Sequence, residues 1–187
     1  MGQFIFNKTP LDGLLLIEAK AFADGRGFFM ETYNKGDFER NHFYEQFIQD
    51  NLSWSHKGVV RGLHYQINPS PMGKLVFCLQ GKIFDIGVDI RKKSPTFGKW
   101  YGEVLSGENK KMLYFPPGFA HGFLALEDDT YVHYKCTGLY SQENERAIIW
   151  NDPAINIKWP VEQVGGKVIV SDKDKAHPRL DQAETNF

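Results

Sequence analysis

Arg61-Gly62-Leu63-His64-Tyr65, followed ten residues after the histidine by Lys74, sets one titratable base and two cations along a short segment. An imidazole can act as a general base near neutral pH, and fixed cations can hold an anionic substrate beside it. Positive charge near an imidazole favours its neutral form, the form that accepts a proton. A carboxylate held against the other ring nitrogen would restore basicity and fix the tautomer. Asp172 and Asp174 are candidates for that partner, and the sequence alone brings neither of them to His64. A second cluster, Pro116-Pro117-Gly118-Phe119-Ala120-His121-Gly122, places another histidine just after a tight-turn signal. His64 is followed by Tyr65 and Gln66, with no second histidine and no adjacent carboxylate. A metal normally takes three or four ligands, so no catalytic metal is expected. His121 is then read as a cationic or hydrogen-bonding contact to substrate.

Short strands must position these groups. Lys74–Leu79 is an apolar run, and Gln80-Gly81-Lys82 reads as a hairpin turn. The next run alternates, with Phe84, Ile86, Val88 and Ile90 on one face and Ile83, Asp85, Gly87 and Asp89 on the other. Further strands are expected at 100–105, 111–115, 121–127, 130–137 and 146–150, with a short helix over Gly36–Phe43 and a polar tail from Asp172. In the 130–137 strand, Val132, Tyr134 and Cys136 share one face and Tyr131, His133 and Lys135 the other, so Tyr134 and His133 cannot both enter a cavity. Many short strands punctuated by glycine and proline predict an all-β fold, a jelly-roll barrel with a few short helices.

The 187 residues are expected to form a single domain, 1–187. A net charge of −1 gives no global field for nucleic acid or an anionic membrane, so any anion site is local. No apolar run approaches the roughly 20 residues that span a bilayer, and no secretory signal is evident at the start. A cytoplasmic location is the default expectation. Cys78 and Cys136 lie in apolar strand-like runs and read as buried free thiols.

Pro116-x-Gly118-x-x-His121 resembles the second motif of the cupin superfamily. More specifically, the chain is similar to the dTDP-4-dehydrorhamnose 3,5-epimerases. The similarity runs through Asp24-Gly25-Arg26-Gly27-Phe28-Phe29-Met30-Glu31, Gln49-Asp50-Asn51, Val60–Gln66, Ser94–Trp100 and Phe115–Phe123. It continues through Tyr134-Lys135-Cys136-Thr137, Tyr140, Glu145-Arg146, Trp150-Asn151-Asp152-Pro153 and Ser171-Asp172-Lys173-Asp174. The resemblance implies a cofactor-independent cupin barrel acting on a dTDP-sugar, within dTDP-L-rhamnose supply to lipopolysaccharide, O-antigen or cell-wall polysaccharide. It implies His64 as general base, Asp174 (with Asp172 as alternative) as its orienting carboxylate, Lys74 as stabiliser of the enolate oxygen and Tyr134 as the acid. Arg26, Glu31, Gln49, Asn51, Arg61, His121, Glu145 and Lys173 match positions that hold the nucleotide-sugar, and Tyr140 matches one that stacks on thymine. A homodimer is implied, with the N-terminal segment carrying Arg26 and Glu31 reaching the partner's site. Glycines beside the arginines (Gly25, Gly27, Gly62) would let backbone approach a phosphate. Rival readings are a single-carbon epimerase or ketoisomerase of a related dTDP-sugar, and a non-catalytic sugar-nucleotide-binding cupin.

Overall fold

Strand alternation sorts the chemically useful side chains onto inward faces. The structure, a computed structural model, describes residues 2–187. In chain order its strands are β1 (Phe4–Lys8), β2 (Leu15–Ala19), β3 (Ala21–Asp24), β4 (Gly27–Met30), β5 (Gln49–Ser55), β6 (Val59–Gln66) and β7 (Lys74–Gln80). There follow β8 (Lys82–Asp89), β9 (Trp100–Ser106), β10 (Lys111–Phe115), β11 (Phe119–Ala125), β12 (Thr130–Cys136), β13 (Glu145–Ala147) and β14 (Ile169–Val170). The helices are α1 (Lys35–Arg40) and α2 (Asp172–Lys175). Two sheets, β1-β2-β10-β7-β12-β5 and β13-β6-β11-β8-β9, make the predicted jelly roll, with β14 added parallel to β6. β3 and β4 form a separate two-stranded ribbon.

On β7, Val76 and Cys78 join the core between the sheets, whereas Leu75 and Phe77 pack beneath α1 with Phe38 and Phe43. Lys74 shares the inward parity of Val76. On β8, Ile83 faces the inter-sheet core, and Ile86, Val88 and Ile90 pack outward against Trp159 and the covering C-terminal segments. Asp85 therefore points inward, beside an apolar core.

The turn at Gln80–Lys82 is not a hairpin. β7 pairs with β10 and β12, whereas β8 pairs with β9 and β11, so the chain crosses from one sheet to the other at Gly81. Gly81 has φ +77°, and a Cβ there would lie 2.4 Å from Thr130 Oγ1. A corner and a hairpin ask for the same glycine; only the tertiary partners distinguish them. Gly62 also differs from expectation. Its absent side chain makes room for β11, since a Cβ would meet Gly122 Cα at 2.6 Å. Gly62 thus serves strand packing rather than approach to a phosphate.

Asn34 caps α1 by accepting from the Asp37 N–H, and the helix ends at Arg40, before the Phe43 expected from sequence. The strand expected at 146–150 is shorter, spanning Glu145–Ala147, with Ile148 still exchanging two backbone hydrogen bonds with Leu63. Both cysteines are buried free thiols.

Candidate active site

A cavity of about 230 Å³ opens between the sheets, bordered by Arg61 and His64 from β6, Lys74 from β7, His121 from β11, and Tyr134 and Cys136 from β12. Asn51 and Ser53 of β5 complete its rim. An adjoining hollow of about 240 Å³ shares Asn51, His64 and Lys74 and adds Gln49, Tyr140 and Glu145. Apart from the segment carrying Arg26 and Glu31, the segments singled out from sequence therefore converge, although they are spread over most of the chain.

His64 Nε2 lies 2.8 Å from Asp174 Oδ1. β14 lays Ile169 and Val170 along Val59 and Val60, and Ser171 then caps α2 by accepting from the Asp174 N–H. The short helix turns Asp174 inward and leaves Asp172 on the surface, paired with Lys175 at 2.9 Å. Of the two candidate carboxylates, Asp174 is the one that reaches the histidine. Burial alone would raise its pKa, but bonds from His64, the Gly62 N–H and His177 outweigh burial and hold it below the ordinary carboxylate value. With Nε2 engaged, Nδ1 is the ring nitrogen left to accept a proton.

Lys74 lies two positions beyond Tyr134 in the β7–β12 register, where Cys136 pairs with Lys74 and Tyr134 with Val76. Burial lowers the pKa of its ammonium, while Cys136, Glu145 and Asp85 oppose that shift. Tyr134 is held by a 3.0 Å hydrogen bond with Ser53 Oγ, and burial raises its pKa well above the ordinary phenol value. His133 points to the other face, against Phe77 and Asp50, as the alternation required.

His121 borders the cavity with one ring nitrogen engaged. Its Nε2 lies 2.7 Å from Asp85 Oδ1, with the two side chains only 5% and 0% exposed. Burial lowers the histidine's pKa and raises that of the carboxyl, with each partner opposing the other's shift. Both shifts favour the neutral forms of the two groups. Asp85 itself was not singled out from sequence. The available signal was a carboxylate on the Ile83–Gly87 face of an interior strand. Ser53 and His177 had no comparable local signal.

The remaining residues form a polar rim. Gln49 donates to Asn51 at 3.0 Å and accepts from the Tyr140 N–H at 2.9 Å. Tyr140 and Lys173 both donate to Glu145 Oε2, at 3.2 and 2.7 Å. The Tyr140 ring is exposed and can offer a face for stacking. Arg61 is tethered to Ser55 Oγ and the Trp54 carbonyl with its guanidinium at the cavity edge. Arg26 and Glu31 do not border the cavity of this protomer. Arg26 sits at the tip of the β3–β4 ribbon, 91% exposed and paired with Asp24. Gly25 and Gly27 flank it with no neighbour within 4 Å.

The model of the family described as dTDP-4-dehydrorhamnose 3,5-epimerase matches residues 8–182. A dTDP-4-dehydrorhamnose 3,5-epimerase of Methanothermobacter thermautotrophicus is 50% identical over 175 residues, 94% of each chain. The crystal structure of a dTDP-6-deoxy-D-glucose-3,5-epimerase from Legionella pneumophila, in complex with dTDP-4-keto-L-rhamnose, superposes with a TM-score of 0.90 at 45% identity, covering 96% of this chain and 94% of that one. A 3′-monoepimerase from Streptomyces bikiniensis, in complex with dTDP-quinovose, has the same fold with a TM-score of 0.86 at 31% identity, covering 92% and 86%.

Proposed function

The chain belongs to the dTDP-4-dehydrorhamnose 3,5-epimerase family and is an isomerase; from that premise we propose that it converts dTDP-4-keto-6-deoxy-D-glucose to dTDP-4-keto-L-rhamnose, with His64 as base and Tyr134 as acid. The observation that carries this reading is their placement on opposite sheets. His64 comes from β6 and Tyr134 from β12, and both border one cavity. Inversion at carbon needs a proton removed from one face and returned to the other, which one group fixed on one side of a stationary ring cannot do.

The protons at C3 and C5 flank the C4 ketone, so removing either gives an enolate. His64 Nδ1 takes the proton, and Asp174 stabilises the imidazolium that forms. The Lys74 ammonium supports the developing oxyanion; one such contact in a water-poor site is commonly worth about 3–4 kcal/mol. The raised pKa of Tyr134 keeps its phenol protonated until it delivers its proton. His121, bonded to Asp85, offers a hydrogen bond to the sugar. The Gln49–Asn51–Tyr140–Glu145–Lys173 rim and Arg61 hold the nucleotide, with Tyr140 against the base and the arginine on the diphosphate. No redox change occurs and no cofactor is required.

The assembly is proposed to be a homodimer of single-domain protomers. The β3–β4 ribbon carries exposed Phe22, Phe28 and Phe29 beside Arg26, an apolar and cationic surface suited to reaching a partner's site. No helix among the described residues is long and apolar enough to cross a membrane. We place the protein in the cytoplasm, supplying a rhamnosyl donor for lipopolysaccharide or cell-wall polysaccharide. The test is NMR of the keto-sugar nucleotide in D2O with purified protein and no added metal. Deuterium at both C3 and C5 is expected. Deuterium at one carbon would make this a single-carbon epimerase, and no exchange with dTDP still bound would leave a binding module.

A further inference from the structure

Asp174 serves two histidines. His177 Nε2 lies 3.2 Å from Asp174 Oδ1, the same oxygen that His64 Nε2 approaches at 2.8 Å. Asp174 lies in α2 and His177 just beyond its C-cap Ala176, where the chain brings the two side chains into contact. The rings of His64 and His177 stand nearly perpendicular, 5.9 Å between centres. Two imidazole nitrogens and one carboxylate oxygen thus lie within 4.8 Å of one another. Bonds of about 2.0–2.1 Å in a tetrahedron put donor atoms about 3.3 Å apart, so side-chain adjustment that widens the His64–Asp174 contact and sets the two imidazole nitrogens at that spacing admits a cation.

The cluster borders a second cavity, about 170 Å³, behind the imidazole of His64. Glu145 and Glu184 line that cavity beside two cations, so its charges balance. Its two cations are already paired, Lys173 with Glu145 and Arg146 with Glu184, each at 2.7 Å. His177 and Asp174 are largely buried and His64 is partly open, which leaves room for water as a fourth ligand.

We propose that His64, Asp174 and His177 form a binding site for a divalent cation of the zinc class, and that occupying it silences the enzyme. Two imidazoles and one carboxylate suit Zn²⁺ better than the hard, oxygen-seeking cations. A neutral imidazole carries one ring proton. When the cation takes Nε2 of His64, that proton resides on Nδ1, the nitrogen that faces substrate, and the base is lost. Catalysis itself needs no metal; the ion is an inhibitor that competes with the dyad's own hydrogen bond. Inhibition rests on the role proposed above for His64, whereas binding stands without it.

Metal-free protein is titrated with Zn²⁺ against a chromophoric chelator, using wild type, His177→Ala and His177→Gln, with folding checked by circular dichroism. Wild type is expected to hold one Zn²⁺ per chain, and loss of one of three ligands to weaken it by at least tenfold, taking about tenfold to a hundredfold as the scale for perturbing a site. His177→Gln keeps a donor to Asp174 without an imidazole and decides the matter if the alanine variant misfolds. Deuterium exchange by wild type should fall with the same Zn²⁺ dependence and return with EDTA. Equal Zn²⁺ affinity in wild type and a folded His177 variant would overturn the proposal, as would wild-type exchange undiminished at saturating Zn²⁺. If metal-free wild type shows no exchange at all, the epimerase reading fails, and chelator competition still decides whether the site binds.

Discussion

Replacing Asp174 by Asn isolates the charge of the catalytic pair from its shape. Asparagine has nearly the same volume, and the Ser171 cap survives because it is made by the backbone N–H of residue 174. What disappears is the negative charge beside the imidazolium that forms as His64 takes a proton. With the ring nitrogen 2.8 Å from the carboxylate oxygen, charge centres about 4 Å apart at an effective dielectric constant of about 20 interact by about 4 kcal/mol. The His64 side chain is 29% exposed, so water screens part of this, and about 2–3 kcal/mol is a fair expectation. That corresponds to a fall of roughly 30- to 150-fold in the rate of proton abstraction. The assay is deuterium entry at C3 and C5 followed by NMR in D2O, with dTDP affinity measured by calorimetry. Exchange should fall together at both carbons, because one base serves both, while dTDP affinity stays near wild type. Exchange within about threefold of wild type would refute the claim that Asp174 charge drives the base.

Tyr134→Phe leaves the base and removes the opposite acid, so solvent deuterium should enter on the abstraction face while inverted product is nearly lost; undiminished product formation would remove Tyr134 from the mechanism. Lys74→Gln removes the cation from the cavity and should lower kcat by about 10²- to 10³-fold with a smaller change in dTDP affinity, and a loss confined to binding would make Lys74 a nucleotide contact instead. Asp89 accepts from Arg91, Ser94 and Thr96, and these bonds outweigh burial to hold its pKa at about 2, below the ordinary 3.8. A depressed carboxyl stabilises the fold above its unfolded pKa and ceases to do so as pH falls through the folded value. Asp89→Asn should therefore cost about 2 kcal/mol in urea unfolding at pH 7, with the gap to wild type closing between about pH 4 and pH 2. A gap independent of pH across that window would sink the assignment.

Strands were legible where side chains alternate without interruption. The two faces of β8 read from sequence are those that pack, and Tyr134 and His133 fall on opposite faces as the pleat requires. The corner at Gly81 was misread because turn chemistry is local, whereas the choice between hairpin and sheet crossing depends on partners far along the chain. Asp172 and Asp174 look alike in sequence; one turn of α2 separates them by burying one and exposing the other. The resemblance had favoured Asp174, and the geometry supplies the reason. His177 was overlooked since nothing near it in sequence hints that its neighbour three residues back is shared with His64. Arg26 and Glu31 matched a motif, but neither borders the cavity, and where a matched segment sits in space is not carried by local pattern.

His64 and its carboxylate are 110 residues apart, and Asp174 is delivered by a two-residue strand laid along β6. Closing so long a loop is entropically unfavourable until the surface it docks on already exists. During refolding the sheets, and with them Lys74 and Tyr134, can assemble first, while the dyad waits for β14 to find its edge. Recovery of sheet structure and recovery of turnover are then separate clocks, and the later one reports the docking of β14 and α2 along β6.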